Sequence, residues 1–114
     1  MNTPHPPSAN APLQRSFRAL ADPTRRDILM LLAQRDMTIA EVAENFDMTR
    51  AAVKKHLTIL RDGGLIATQA QGRSKINTLT PDGLRPITDW VSYFDTFWDQ
   101  RLTALKDSIE KDMQ

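Results

Sequence analysis

Thr38-Ile-Ala-Glu-Val-Ala-Glu-Asn-Phe46 and Thr49-Arg-Ala-Ala-Val-Lys-Lys-His-Leu-Thr-Ile-Leu-Arg-Asp62, joined by the short Phe46-Asp47-Met48 link, decide the fold of this chain. Each stretch opens on a threonine able to cap free backbone N–H groups, and Thr38 has Glu41 three residues on, which completes a capping box. The second stretch closes on Gly63-Gly64. Two capped helices with a sharp turn between them predict a helix-turn-helix. Within the second helix Val53, Leu57 and Leu60 recur at helical spacing and should face inward. Arg50, Ala51, Lys54, Lys55, Thr58 and Arg61 then face outward. A basic outer face with short side chains suits a DNA major groove, whereas the plainer reading is a solvated helix with ordinary lysines.

Working outward, Leu65-Ile-Ala-Thr-Gln-Ala70 and Lys75-Ile-Asn-Thr-Leu79 are β-prone runs around Gln71-Gly72-Arg73-Ser74, the pattern of a hairpin. Such a wing, with Arg73 and Lys75 near its tip, would set cations beside the phosphate backbone or minor groove of a docked duplex. The charge distribution agrees. Between Arg50 and Leu79 six cations (Arg50, Lys54, Lys55, Arg61, Arg73 and Lys75) face Asp62 alone, whereas from Thr80 to Gln114 four cations meet seven anions. The formal net charge of +1 therefore hides one concentrated positive face.

On the other side of the helix pair, a first helix is expected from about Leu13 to Leu20, with Leu13, Phe17 and Leu20 on one face. Asp22-Pro23 restarts the chain as N-cap and first helical residue of a second helix running to about Gln34, which buries Ile28, Leu29, Leu31 and Leu32. Before these, residues 1–12 hold four of the seven prolines and no periodic apolar pattern, so a disordered arm is expected there. Beyond the breaker cluster Thr80-Pro-Asp-Gly83, one long helix is expected from about 84 to 111, with Pro86 in its first turn. Ile87, Trp90, Phe94, Phe97, Trp98, Leu102, Leu105 and Ile109 form an apolar stripe along it that a small winged domain cannot cover, and dimerisation resolves the exposure.

The expected fold class is therefore mainly α with a small β-hairpin: a winged helix-turn-helix over residues 13–114, flanked by N- and C-terminal dimerisation helices. At 114 residues one domain is the expected count. The absence of cysteine excludes disulfides, thiolate metal sites and cysteine nucleophiles. No apolar run approaches the roughly 20 residues that span a bilayer, and residues 1–10 lack the basic and apolar segments of a leader, so a soluble cytoplasmic protein is expected. An enzyme is disfavoured, for there is no glycine-rich phosphate loop, no Gly-x-Ser-x-Gly, and no nucleophile that local spacing brings to His56. No cofactor is expected.

Ala19-Leu-Ala-Asp-Pro-Thr-Arg-Arg-Asp-Ile-Leu29, Met48-Thr-Arg-Ala-Ala-Val-Lys-Lys-His-Leu57, Leu60-Arg-Asp-Gly-Gly-Leu-Ile66, Gly72-Arg73, and Trp90 with Phe97-Trp-Asp-Gln-Arg-Leu102 together resemble the ArsR family of bacterial winged-helix repressors. The resemblance implies a homodimer built from the first and last helices, with Leu13, Phe17, Ile87, Trp90, Phe94, Phe97, Trp98 and Leu105 at its seam. It also implies binding to a partly palindromic double-stranded operator, often that of the repressor's own operon. Thr49, Arg50, Ala51, Lys54 and Lys55 fall on the family's recognition stretch and Arg73 on its wing arginine, while Lys54 departs from the serine or threonine common there. His56 matches a family histidine and is read as structural. The paired cysteines of the metal-sensing members fall on Ala43 and Asn45, and the last helix offers Asp89, Asp95 and Asp99 without a histidine, so a branch without a metal site is expected. The competing reading is a winged-helix module that binds another protein and has no operator of its own.

Overall fold

The computed structural model describes residues 11–113, so the proline-rich stretch lies outside the described residues except for Ala11 and Pro12. Six helices and three strands follow one another. They are α1 (Ala11–Leu20), α2 (Pro23–Gln34), β1 (Met37–Thr38), α3 (Ile39–Ala43), α4 (Arg50–Asp62), β2 (Ile66–Gln71), β3 (Ser74–Leu79), α5 (Arg85–Ser92) and α6 (Asp95–Asp112). The local signals act where the residues place them. Asp22 caps α2 by accepting from the Arg25 N–H at 3.0 Å, with Pro23 at the first helical position. Thr38 and Glu41 form the full capping box of α3, and Thr49 accepts from the Ala52 N–H to start α4.

Helix α4 ends in a Schellman motif. The Leu65 N–H reaches Leu60 O at 3.0 Å and the Gly64 N–H reaches Arg61 O at 2.9 Å, with Gly64 at φ 75°. Leu60 and Leu65, which this motif brings together, are both fully buried. The turn leads the chain out of α4 and straight into the wing.

The core lies between α2, α3, α4 and the base of the sheet. Val53, Leu57 and Leu60 of α4 meet Ile28, Leu29 and Leu32 of α2 and Val42 of α3 in one buried cluster. Each such aliphatic side chain contributes about 1.5–3 kcal/mol on burial, enough to fix which face of α4 remains outside. Leu31 is only half-buried at the edge of this cluster, so α2 packs through a narrower stripe than its sequence suggests.

The sheet has the order β1-β3-β2, wholly antiparallel, so the expected hairpin gains a third strand. Met37 and Thr38 pair with Asn77 and Ile76, and Met37 is buried. Two residues show no periodicity of their own; tertiary pairing alone makes them a strand. The hairpin register runs from Ile66↔Leu79 to Gln71↔Ser74, which leaves a two-residue turn, Gly72-Arg73, in place of the expected four. Gly72 sits at φ 62° and is the only wing residue with positive φ, as a II′ turn requires at its first central position.

The expected single C-terminal helix is divided. After Ser92 the Phe94 N–H bonds to Val91 O, a tightened i→i+3 turn, and the regular helix resumes at Asp95 with the Trp98 N–H on Phe94 O. Helix α5 packs on α1, whereas α6 makes no comparable contact with any other element and extends into solvent. The described residues span 69 × 42 × 22 Å accordingly.

Candidate nucleic-acid interface

Thr49, Arg50, Ala51, Lys54 and Lys55 all lie exposed at the start and on the outer face of α4. The burial of Val53, Leu57 and Leu60 on the opposite face holds them there. Arg73 occupies the wing turn itself and Lys75 follows on β3, opposite Ala70, both exposed. The structure brings most of these residues together. Arg50, Lys54, Arg61, Arg73 and Lys75 line one concave groove of about 480 Å³ between α4 and the wing, and no carboxylate lines it. Lys55 and Ala51 lie on the same helix outside that groove.

Arg61 is a residue that the sequence pattern places outward without giving it a role. Its Nη1 donates to Thr68 Oγ1 at 3.2 Å, joining the last turn of α4 to the wing. Thr68 donates in turn to Asn77 Oδ1 at 3.0 Å, and Asn77 Nδ2 donates to Met37 O at 3.1 Å. Asn77 is 3 % exposed, one of two buried polar residues among those described. The available signal was an asparagine in an otherwise β-prone run; its partners, 9 and 40 residues away, leave no local trace.

Not every arginine faces the groove. Arg25 donates through Nε to Ala19 O at 2.7 Å and through Nη2 to Arg18 O at 2.8 Å, and Arg26 donates to Leu20 O at 2.7 Å. These two side chains satisfy the free carbonyls at the end of α1 and so dock α1 on α2. His56 joins the same cluster, its Nδ1 3.4 Å from Arg25 Nη1 and 3.9 Å from Asp22 Oδ2, the geometry of a structural contact between α4 and the start of α2. The Arg25 backbone N–H, opposed by burial and aided by the Arg25 guanidinium and His56, holds the Asp22 carboxyl below its ordinary range. Glu41, bonded by Arg35 at 2.8 Å and by the Thr38 N–H and hydroxyl, is lowered from 4.5 to about 2. Among the described residues no group of three or more histidine, cysteine, aspartate or glutamate side chains gathers as a metal site would require.

The residues expected at a dimer seam fall into three sets. Leu13 is 1 % exposed within its own chain and has no surface left for a partner, because α1 turns Leu13, Ser16 and Ala19 inward together. Phe17 and Trp90 are half-buried and meet edge to face at 5.3 Å, followed by Trp90–Phe94 at 5.1 Å, and Ile87 is half-buried as well. Phe94, Phe97, Trp98 and Leu105 are exposed, with Leu102 and Ile109 continuing the stripe along α6.

A helix-turn-helix whose recognition helix and wing enclose one basic groove defines a winged helix-turn-helix DNA-binding protein. Residues 22–68, spanning the turn, both of its helices and the start of the wing, match the family described as bacterial regulatory proteins of the arsR family. The chain is 33% identical over 99 residues to the HTH-type transcriptional regulator Rv2034 of Mycobacterium tuberculosis, across 86% of this chain and 89% of that one. It is 35% identical to the transcriptional repressor SdpR of Bacillus subtilis across 68% of this chain and 87% of the relative. A crystal structure of an ArsR family transcriptional regulator superposes with a TM-score of 0.71 at 34% identity, covering 77% of this chain and 91% of the other. An ArsR-like regulator from Rhodococcus sp. RHA1 gives 0.71 at 30% identity over 88% and 94%. The chain belongs to the ArsR family of winged helix-turn-helix transcriptional regulators. It is a DNA-binding regulator and not an enzyme, and among its described residues no helix is long and apolar enough to cross a membrane.

Proposed function

We propose that this regulator is a cytoplasmic homodimeric repressor of a bacterial operon, its own included, and that it reads a partly palindromic operator through α4 and grips the flanking backbone with its wings. The observation that carries this reading is the exposed stripe from Phe94 through Phe97, Trp98 and Leu105 to Ile109, directly continuous with the Phe17–Trp90 contact. So large an apolar face is unstable in water, and a two-fold partner covers it with the same face of a second copy. The repressor activity of SdpR supports the direction of regulation. A structure of the winged helix-turn-helix domain of Mb0332 from Mycobacterium bovis, described as homodimeric, shares the fold at a TM-score of 0.65 and 23% identity.

In this reading Thr49, Arg50, Ala51, Lys54 and Lys55 enter the major groove, and Arg73 and Lys75 hold phosphate or a narrow minor groove. The first turn of a recognition helix penetrates deepest, and arginine forks onto guanine, so Arg50 is the principal base reader. Selection of duplexes from a random pool tests the proposal. Enrichment of an inverted repeat with half-sites about 10 bp apart, centre to centre, or a multiple of that, is expected. Recovery of a lone half-site contradicts the two-fold geometry, and recovery of no sequence at all contradicts operator reading and favours a module that binds protein instead.

A further inference from the structure

Four groups form a directed hydrogen-bond relay behind the basic groove. Arg61 donates to Thr68, Thr68 to Asn77, and Asn77 to the carbonyl of Met37, over 3.2, 3.0 and 3.1 Å. Asn77 stands on the central strand, in register with Met37 on one side and Thr68 on the other. Thr38, next to Met37, is the N-cap of α3. The relay therefore ties together the last turn of α4, both wing strands and the entry to the helix-turn-helix, and Arg61, Thr68 and Asn77 all line the groove.

A plain sheet needs none of this. Position 77 faces inward at 3 % exposure, where an aliphatic residue is the ordinary occupant, and an asparagine buried there without partners would lose stability. Both ends of its amide are satisfied, and the first donor in the relay is a guanidinium that lines the basic groove. The Thr68 hydroxyl has its proton directed to Asn77 and turns a lone pair to Arg61, so it fixes where a long, otherwise free side chain points.

We infer that Thr68, anchored by Asn77, is a positioning residue that holds Arg61 and the wing in the orientation that meets the DNA backbone, without touching DNA itself. The inference rests on the reading of the α4–wing groove as the DNA face. Arg61 gains a role as a phosphate contact whose geometry is set in advance, and the wing is held at a fixed angle to α4.

The test uses the full-length protein on its operator over a range of salt concentrations, with Thr68→Val, Thr68→Ser, Arg61→Ala and the Arg61→Ala/Thr68→Val double variant. Valine keeps the β-branched shape and loses only the hydroxyl; serine keeps the hydroxyl. Loss of one such hydrogen bond predicts a roughly two- to tenfold weaker Kd for Thr68→Val. The log–log salt slope becomes shallower by about one unit, as when one phosphate is no longer neutralised, while Thr68→Ser restores both. In the Arg61→Ala background the effect of Thr68→Val is smaller than in the wild type, and no further change in salt slope is seen. A merely structural role would lower the melting temperature of Thr68→Val and leave the slope of the folded protein unchanged, and that result overturns the inference. So does a Thr68→Ser variant as weak as Thr68→Val, or an undiminished Thr68→Val effect in the double variant. Arg61→Ala weakened beside an unaltered Thr68→Val overturns the relay alone, whereas an unaltered Arg61→Ala overturns the placement of Arg61 on the DNA face and the relay with it. Thr68→Ala, which also lacks the hydroxyl, repeats the measurement should valine fail to pack.

Discussion

Replacing Gly63 by alanine adds a single methyl group at the point where α1 crosses the end of α4. The new Cβ would lie 3.0 Å from Ala19 Cβ, 3.0 Å from Arg15 O and 3.4 Å from Ile59 O. Backbone conformation adds no cost, since Gly63 has φ −77° and ψ −1°. The obstruction is a methyl and a backbone carbonyl of α1, neither at the end of a flexible side chain, so α1 itself must move. Overpacking of this kind costs about 1–3 kcal/mol. The same movement strains the bond from the buried Ser16 Oγ to Gly63 O, 3.1 Å long, which is worth about 1 kcal/mol more. At roughly 4 °C or more per kcal/mol for a domain near this size, the midpoint should fall by at least about 4 °C. Circular dichroism melts give the midpoint, and tryptophan fluorescence reports α1 separately, because Phe17 of α1 packs on the Trp90 ring. Gly64→Ala is the control: its φ of 75° disfavours a side chain by about 1 kcal/mol, but nothing lies within 4 Å of the new methyl. Its tryptophan spectrum should stay that of the wild type. A Gly63→Ala protein that melts with the wild type would refute the close crossing of α1 over α4.

Glu41 ties stability to acid. Its folded value of about 2 lies below the ordinary 4.5, so its contribution is complete above pH 4.5 and is lost as pH falls toward 2. The difference in melting temperature between wild type and Glu41→Gln should be constant near neutrality and close over that window, and a gap that persists at pH 2 would assign the effect to packing. Phe94→Asp places a carboxylate in the apolar stripe between Trp90 and Tyr93 and should give a monomer or an insoluble chain. Sedimentation of a soluble, dimeric Phe94→Asp protein would put the seam elsewhere.

Much of the architecture is local chemistry and was legible in the residues for that reason. Asp22-Pro23, the Thr38–Glu41 box, Thr49 and Gly63-Gly64 act within four residues of themselves, so the starts of α2, α3 and α4 and the end of α4 fall where their caps stand. The outer face of α4 followed from its inner one. What escaped depends on partners distant in sequence. Met37-Thr38 becomes a strand only because β3 lies beside it, and the roles of Asn77 and Arg61 exist only in the assembled wing. The opposite error touched Leu13, which a three- and four-residue spacing grouped with Phe17 although α1 buries it in its own chain. The division between α5 and α6 was invisible because an apolar stripe survives one tightened turn at Phe94 unchanged.

The central claim, that α4 reads bases while the wing holds the backbone, is tested most directly by titrating Arg50→Ala and Arg73→Ala against the operator and a scrambled duplex at several salt concentrations. Arg50→Ala should lose roughly 1–3 kcal/mol on the operator and much less on the scrambled sequence. Arg73→Ala should weaken both duplexes alike and lower the salt slope by about one unit for each phosphate the wing no longer neutralises. Equal losses on both duplexes for Arg50→Ala, or an operator-specific loss for Arg73→Ala, would contradict the account.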